Sequence, residues 1–147
     1  MALSLWLRRL GFTRGSQKST LRQVRNLSTQ CIVASRVEVA DRGAARSRGL
    51  LGRESLAPGE GLWIVPCEAV HTVGMRFPID LIFLDRRNIV RKVRSSVPSW
   101  RISGCLRAHS VIELAAGTLA ATQVSPGDTL HFSPSPQAVS DCLRCTE

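Results

Sequence analysis

The 147-residue sequence has no tyrosine, only four phenylalanines and three tryptophans, and no acidic residue before Glu38. With aromatics this scarce, a nucleic-acid surface built on base stacking is not expected. No stretch approaches the ~18 apolar residues that a membrane-spanning helix needs. An export signal needs an uninterrupted apolar stretch after its basic start. Here Leu3, Leu5, Trp6 and Leu7 precede Arg8-Arg9, and the residues after the arginine pair are too polar. Leu27-Ser28-Thr29-Gln30-Cys31 has no apolar run before it, which argues against a lipoprotein anchor. These absences lead to the expectation of a cytoplasmic protein. The Gly-x-Ser-x-Gly elbow of serine hydrolases, the phosphate-binding loop and the dinucleotide fingerprint are also missing. The 11 acidic residues scatter mostly through turns, so no glycosidase-like pair stands out. There are no internal repeats.

What is present starts with basic charge, 20 Lys and Arg against 11 Asp and Glu, for a net +9. Seven of those basic residues fall in residues 1–37, and the remaining 110 residues are nearly balanced, at +2. The body therefore gives little support to nucleic-acid binding. Leu3, Trp6, Leu7 and Leu10 recur at helical spacing, which suits a short basic amphipathic helix on an anionic membrane through residues 1–25. The same acid-free composition resembles an organellar transit peptide, or simply a flexible extension over residues 1–29. Arg86, Arg87, Arg91, Lys92 and Arg94 cluster at one hairpin, where a solvated face is the default and an anionic partner the alternative.

Hydrophobic content is 44% and charged content 21%, as in globular domains. The pattern predicts a single mainly β domain over residues 30–133, a compact jelly-roll-like sandwich or barrel with one or two short helices. Residues 30–40 read as a strand, and Asp41 as the N-cap of a short helix through residue 51, stopped by Gly52. Residues 62–65 form a short strand broken by Pro66. Residues 69–75 alternate, with Ala69, His71, Val73 and Met75 on one side. Residues 77–84 are almost continuously apolar, which suits a strand buried on both faces. Asp85-Arg86-Arg87-Asn88 turns into a return strand over 89–97 with one wet face. Strands over 109–115 and 129–133 flank a helical turn ending near Val124, and a Pro/Ser-rich tail begins at 134.

Four ordered blocks carry a family resemblance. Arg48-Gly49-Leu50-Leu51-Gly52-Arg53 precedes Leu56-Ala57-Pro58-Gly59-Glu60-Gly61-Leu62. Next comes His71-Thr72-Val73-Gly74-Met75-Arg76-Phe77-Pro78-Ile79-Asp80-Leu81-Ile82-Phe83-Leu84-Asp85. Val111-Ile112-Glu113-Leu114-Ala115-Ala116-Gly117 and Pro126-Gly127-Asp128 complete the set. Over about residues 31–132 the chain resembles the bacterial and archaeal family known as domain of unknown function 192 (DUF192). The resemblance implies a compact jelly-roll-like β domain with no established activity, and it transfers no catalytic residues. Many members carry Trp-Met-x-Asn-Thr where this chain has His71-Thr72-Val73-Gly74-Met75.

Candidate chemistry centres on Asp80, a carboxylate in an otherwise apolar strand, which is costly to bury without a partner. It either pairs with an arginine such as Arg48 or Arg53, accepts backbone N–H bonds, or anchors a pocket. Arg48, Arg53, His71, Met75 and Asp80 are the candidate ligand-binding residues. Cys31, Cys67, Cys105, Cys142 and Cys145 are an odd set, which suits free thiols in a reducing compartment. Cys142 and Cys145 are weak zinc candidates, supplying two of four ligands, with Cys67, Cys105, His71 or His131 needed to complete the set. No cofactor is expected. The leading expectation is a small binding or accessory module for a small ligand or a protein. The alternatives are a hydrolase or metal-dependent enzyme using His71, Cys67 and Asp80, and a peripheral membrane factor tethered by the basic N-terminus.

Overall fold

The structure of the protein is a computed structural model that describes residues 21–136. The chain order is β1 (Arg22–Asn26), β2 (Ile32–Ala40), α1 (Gly43–Arg48), β3 (Glu60–Ile64), β4 (Ala69–His71), β5 (Ile79–Leu84), β6 (Val90–Val97), β7 (Ile102–Gly104), β8 (Ser110–Ala115), α2 (Thr118–Thr122) and β9 (Leu130–Pro134). The expected mainly β fold with two short helices is what forms. Seven strands build one sheet in the order β6-β5-β8-β3-β2-β1-β9, and β4 pairs with β7 in a separate ribbon. The sheet curls into a half-barrel. Its two ends meet at an Ile89–Thr129 bridge, where Leu130 N also donates to Asn88 O (2.9 Å). Strands β2 and β3 run parallel, with α1 in their crossover, and the other strand pairings are antiparallel.

Alternation along the central strands divides the interior into two cores, because successive side chains point to opposite sheet faces. On one face Ile82, Leu84, Ile112 and Leu114 pack with Val24, Val37 and Leu119 of α2. On the other, Leu81, Phe83 and Val111 pack with Leu62, Ile64, Leu50, Val70 and Met75. Strands β5 and β8 are buried along their whole length, as the continuous apolar run of β5 requires. Each large aliphatic or Phe side chain buried this way contributes roughly 1.5–3 kcal/mol.

Two boundaries differ from the sequence expectation. The sheet begins at Arg22, inside the segment expected to be a flexible extension over residues 1–29. The Arg-Gln-Val-Arg-Asn segment has no apolar run, yet it lies between β2 and β9 and buries Val24 and Asn26. Neighbouring strands, more than intrinsic propensity, hold it there. Asn26 Nδ2 donates to Asp128 Oδ2 (2.8 Å), and Asn26 Oδ1 accepts from Ser28 N (2.9 Å). Helix α1 is the second difference: Arg42, not Asp41, is its N-cap, and it stops at Arg48 instead of continuing to residue 51. Gly49 comes next at φ +53°, a backbone conformation that ends a helix readily when no Cβ is present. The proposed membrane helix, apart from Leu21 to Arg25, and the Cys142/Cys145 pair lie outside the described residues.

Candidate functional site

The alternation that builds two cores also separates the two carboxyls of the central strands. Asp80 pairs with Leu114 across β5 and β8, whereas Glu113 pairs with Leu81, so the carboxyls emerge on opposite faces. Asp80 is fully buried, and both oxygens are occupied. Oδ1 accepts from Ser96 N (2.7 Å) in β6, and Oδ2 accepts from Leu119 N (2.8 Å) in the first turn of α2. Ser96 sits at φ +48° opposite an irregular stretch of β5, so the carboxylate ties a kinked edge strand to a helix start. Of the sequence alternatives for Asp80, the backbone bonds are realised. The expected convergence of Asp80 with His71 and an arginine is corrected by the sheet geometry.

Glu113, which sequence reasoning passed over, is the carboxyl that faces a cavity. It is 3% exposed and Oε2 has no hydrogen-bond partner. Burial pushes its pKa up to about 7, against an opposing pull from the nearby Arg53 guanidinium. The signal was available: a charged residue in an otherwise apolar strand is the same pattern that singled out Asp80.

The cavity has a volume of about 230 Å³ and lies between α1 with its trailing loop, β3, β4 and β8. Leu50, Ile64, Val70 and Met75 supply apolar walls, and Glu113 closes the floor. The loop after α1 passes over the carboxyl closely, so that a Cβ on Gly49 would lie 3.7 Å from Glu113 Oε2. The opposite wall is fixed by Thr72. Its Oγ1 donates to Pro98 O (2.7 Å) and accepts from Arg101 N (3.0 Å), clamping the residues after β4 to the loop before β7. Three broader depressions are more open, and none of them contains a buried polar side chain without a partner.

Of the expected site residues, Arg48, His71 and Met75 line this cavity together with Cys67. Arg53 stands outside it, with Nη2 donating to Glu38 Oε2 (2.8 Å). His71 is exposed and Met75 is buried, because β4 ends at His71 and the chain then turns instead of continuing as a strand. Burial pushes the Cys67 thiol pKa up, and its Sγ donates to Ala69 O (3.1 Å). A thiol kept protonated is a poor nucleophile. Arg46 also lines the cavity; Nη1 donates to Pro66 O (3.3 Å), while its buried Nε has no partner.

Elsewhere the basic hairpin is partly self-satisfied. Arg91 pairs with Asp85 (2.6 Å), and Lys92 donates to Gly104 O (2.7 Å) while lying 5.6 Å from the Phe83 ring centre. Trp100, Ile102 and Leu106, along β7 and its flanking loops, are exposed. Cys31, Cys67 and Cys105 are free thiols. Among the described residues no three His, Cys, Asp or Glu side chains come close enough to hold a metal ion. No helix among them is long and apolar enough to cross a membrane.

Two solved structures share this fold. One is a candidate transcription regulator from Sinorhizobium meliloti 1021, with 25% identity, a TM-score of 0.69, and coverage of 78% of this chain and 95% of that one. The other is a protein of unknown function from Novosphingobium aromaticivorans DSM 12444, with 21% identity, a TM-score of 0.66, and coverage of 76% and 83%. No curated protein gives a significant match. The DUF192 family profile, described as an uncharacterized ACR, matches residues 24–132, from β1 to β9. Because that match takes in nearly all of the curled sheet and every wall of the Glu113 cavity, the chain belongs to the DUF192 family.

Proposed function

We propose that the domain is a small-ligand-binding module of the cytoplasm, with the cavity above Glu113 as its binding site. The observation that carries the reading is the Glu113 carboxyl, buried at the cavity floor with Oε2 unpartnered. An unmet buried polar atom costs roughly 1–3 kcal/mol, and a ligand that supplies the missing bond recovers it. Apolar walls with a few convergent polar groups are the usual make-up of ligand sites. Three free cysteines suit a reducing compartment.

The enzyme alternative has less support. Asp80 is committed to two backbone groups, and the Cys67 thiol is held in its protonated form. The regulator label of the Sinorhizobium relative is compatible with a module that senses a small molecule. The test uses thermal shift with a fragment library spanning acids, amides and amines, and then N-ethylmaleimide labelling of Cys67. Fragments that raise the melting temperature should also slow Cys67 labelling, since that residue lines the cavity. The reading fails when no fragment stabilises the protein, or when every stabilising fragment leaves Cys67 labelling unchanged.

A further inference from the structure

The cavity has two buried polar atoms without partners, and they differ in kind. Arg46 Nε is a donor on a permanently charged group, and Glu113 Oε2 belongs to a carboxyl that can either donate or accept. The remaining charge around the cavity is one-sided. Arg48 of α1 lines it and His71 of β4 is at its edge, while Glu113 is its single acidic lining residue. Arg53 lies beyond, already paired with Glu38 of β2.

A cationic ligand meets Arg46 and Arg48 with like charge. A neutral amide satisfies both orphan atoms and leaves the guanidiniums uncompensated. A carboxylate satisfies both orphan atoms and also compensates the guanidiniums. One oxygen accepts from Arg46 Nε–H, the other accepts from a protonated Glu113 O–H, and its charge offsets the arginines. A volume of about 230 Å³ holds a ligand of about eight non-hydrogen atoms, at the ~30 Å³ a water takes in liquid. We infer that the cavity binds a small monocarboxylate with an apolar body, held by Arg46 and by a carboxyl–carboxylate hydrogen bond to Glu113. This rests on the small-ligand reading and gives it a charge class.

Such a bond needs one proton between two carboxyl groups, so binding tracks the protonation of Glu113. Burial raises that pKa to about 7. Above it the apparent affinity should fall about tenfold per pH unit, and below it the affinity should level off.

Isothermal titration of the full chain with hexanoate, hexanamide and hexylamine, at pH 6 to 9, tests the inference. Hexanoate should bind best, and its affinity should show that fall above pH 7. Glu113→Gln should bind hexanoate about as well as the wild type does at pH 6, with little change up to pH 9. Arg46→Gln should weaken binding at least tenfold. His71→Gln should keep the pH dependence, which assigns that dependence to Glu113 and not to the imidazole at the mouth. The inference is overturned when hexylamine or hexanamide matches hexanoate, when hexanoate affinity is flat with pH, or when folded Glu113→Gln no longer binds it. If none of the three probes binds while other fragments protect Cys67, the charge class is wrong and the cavity reading stands. Hexanoate binding without protection of Cys67 overturns both.

Discussion

Replacing Glu113 by Gln should stabilise the protein strongly at alkaline pH and by less than about 1 kcal/mol at pH 5. In the unfolded chain the carboxyl titrates near 4.5, and in the folded protein burial raises this to about 7. Between those values the folded state holds a proton that the unfolded state has released. The contribution of Glu113 to stability therefore falls as pH rises from about 4.5 and reaches its full deficit above about 7. At 1.36 kcal/mol per pH unit, the deficit is about 3 kcal/mol, an order-of-magnitude figure for a side chain that is 3% exposed. Gln has a similar shape and no charge to desolvate. Urea unfolding of both proteins at pH 5 and pH 8 should show a difference below about 1 kcal/mol at the lower pH. At the higher pH the variant should be favoured by about 3 kcal/mol, or roughly 10 °C in melting temperature for a domain of this size. A difference that changes by less than about 1 kcal/mol between the two pH values would refute the reasoning. So would a wild type that gains on the variant as pH rises, because that sign requires a carboxylate held by Arg53 and not one stranded by burial.

Two further substitutions probe the frame around the site. Asp80→Asn keeps one acceptor and places an amide N–H against Ser96 N or Leu119 N, so a loss of about 1–3 kcal/mol in urea unfolding is expected, and unchanged stability would contradict the double backbone clamp. Gly61→Ala puts a Cβ 2.8 Å from Leu114 Cδ2 and 2.9 Å from Glu113 O, so differential scanning calorimetry should show a lowered melting temperature, for a cost of about 1–3 kcal/mol.

Much of the fold was legible because short apolar runs separated by turn residues leave little choice. The continuous apolar stretch from Ile79 to Leu84 identified the strand buried on both faces, and Asp85 to Asn88 identified the hairpin after it. Strand β1 was not legible, because Arg22, Gln23, Arg25 and Asn26 carry no strand pattern of their own. It exists because β2 and β9 leave a slot between them that burying Val24 fills.

The site divides in the same way. Sequence by itself singled out Asp80 as an unusual carboxylate, placed Arg48, His71 and Met75 among the candidate residues, and carried the family resemblance in four blocks. The tertiary structure decided which carboxyl is committed and which is stranded. Asp80 and Glu113 sit on neighbouring strands in similar apolar settings, and local sequence does not tell them apart. Their register puts one against the backbone N–H groups of Ser96 and Leu119 and the other against a cavity wall with no donor for Oε2. That outcome depends on which distant segments cover each face of the sheet, which is a property of packing between residues far apart in the chain.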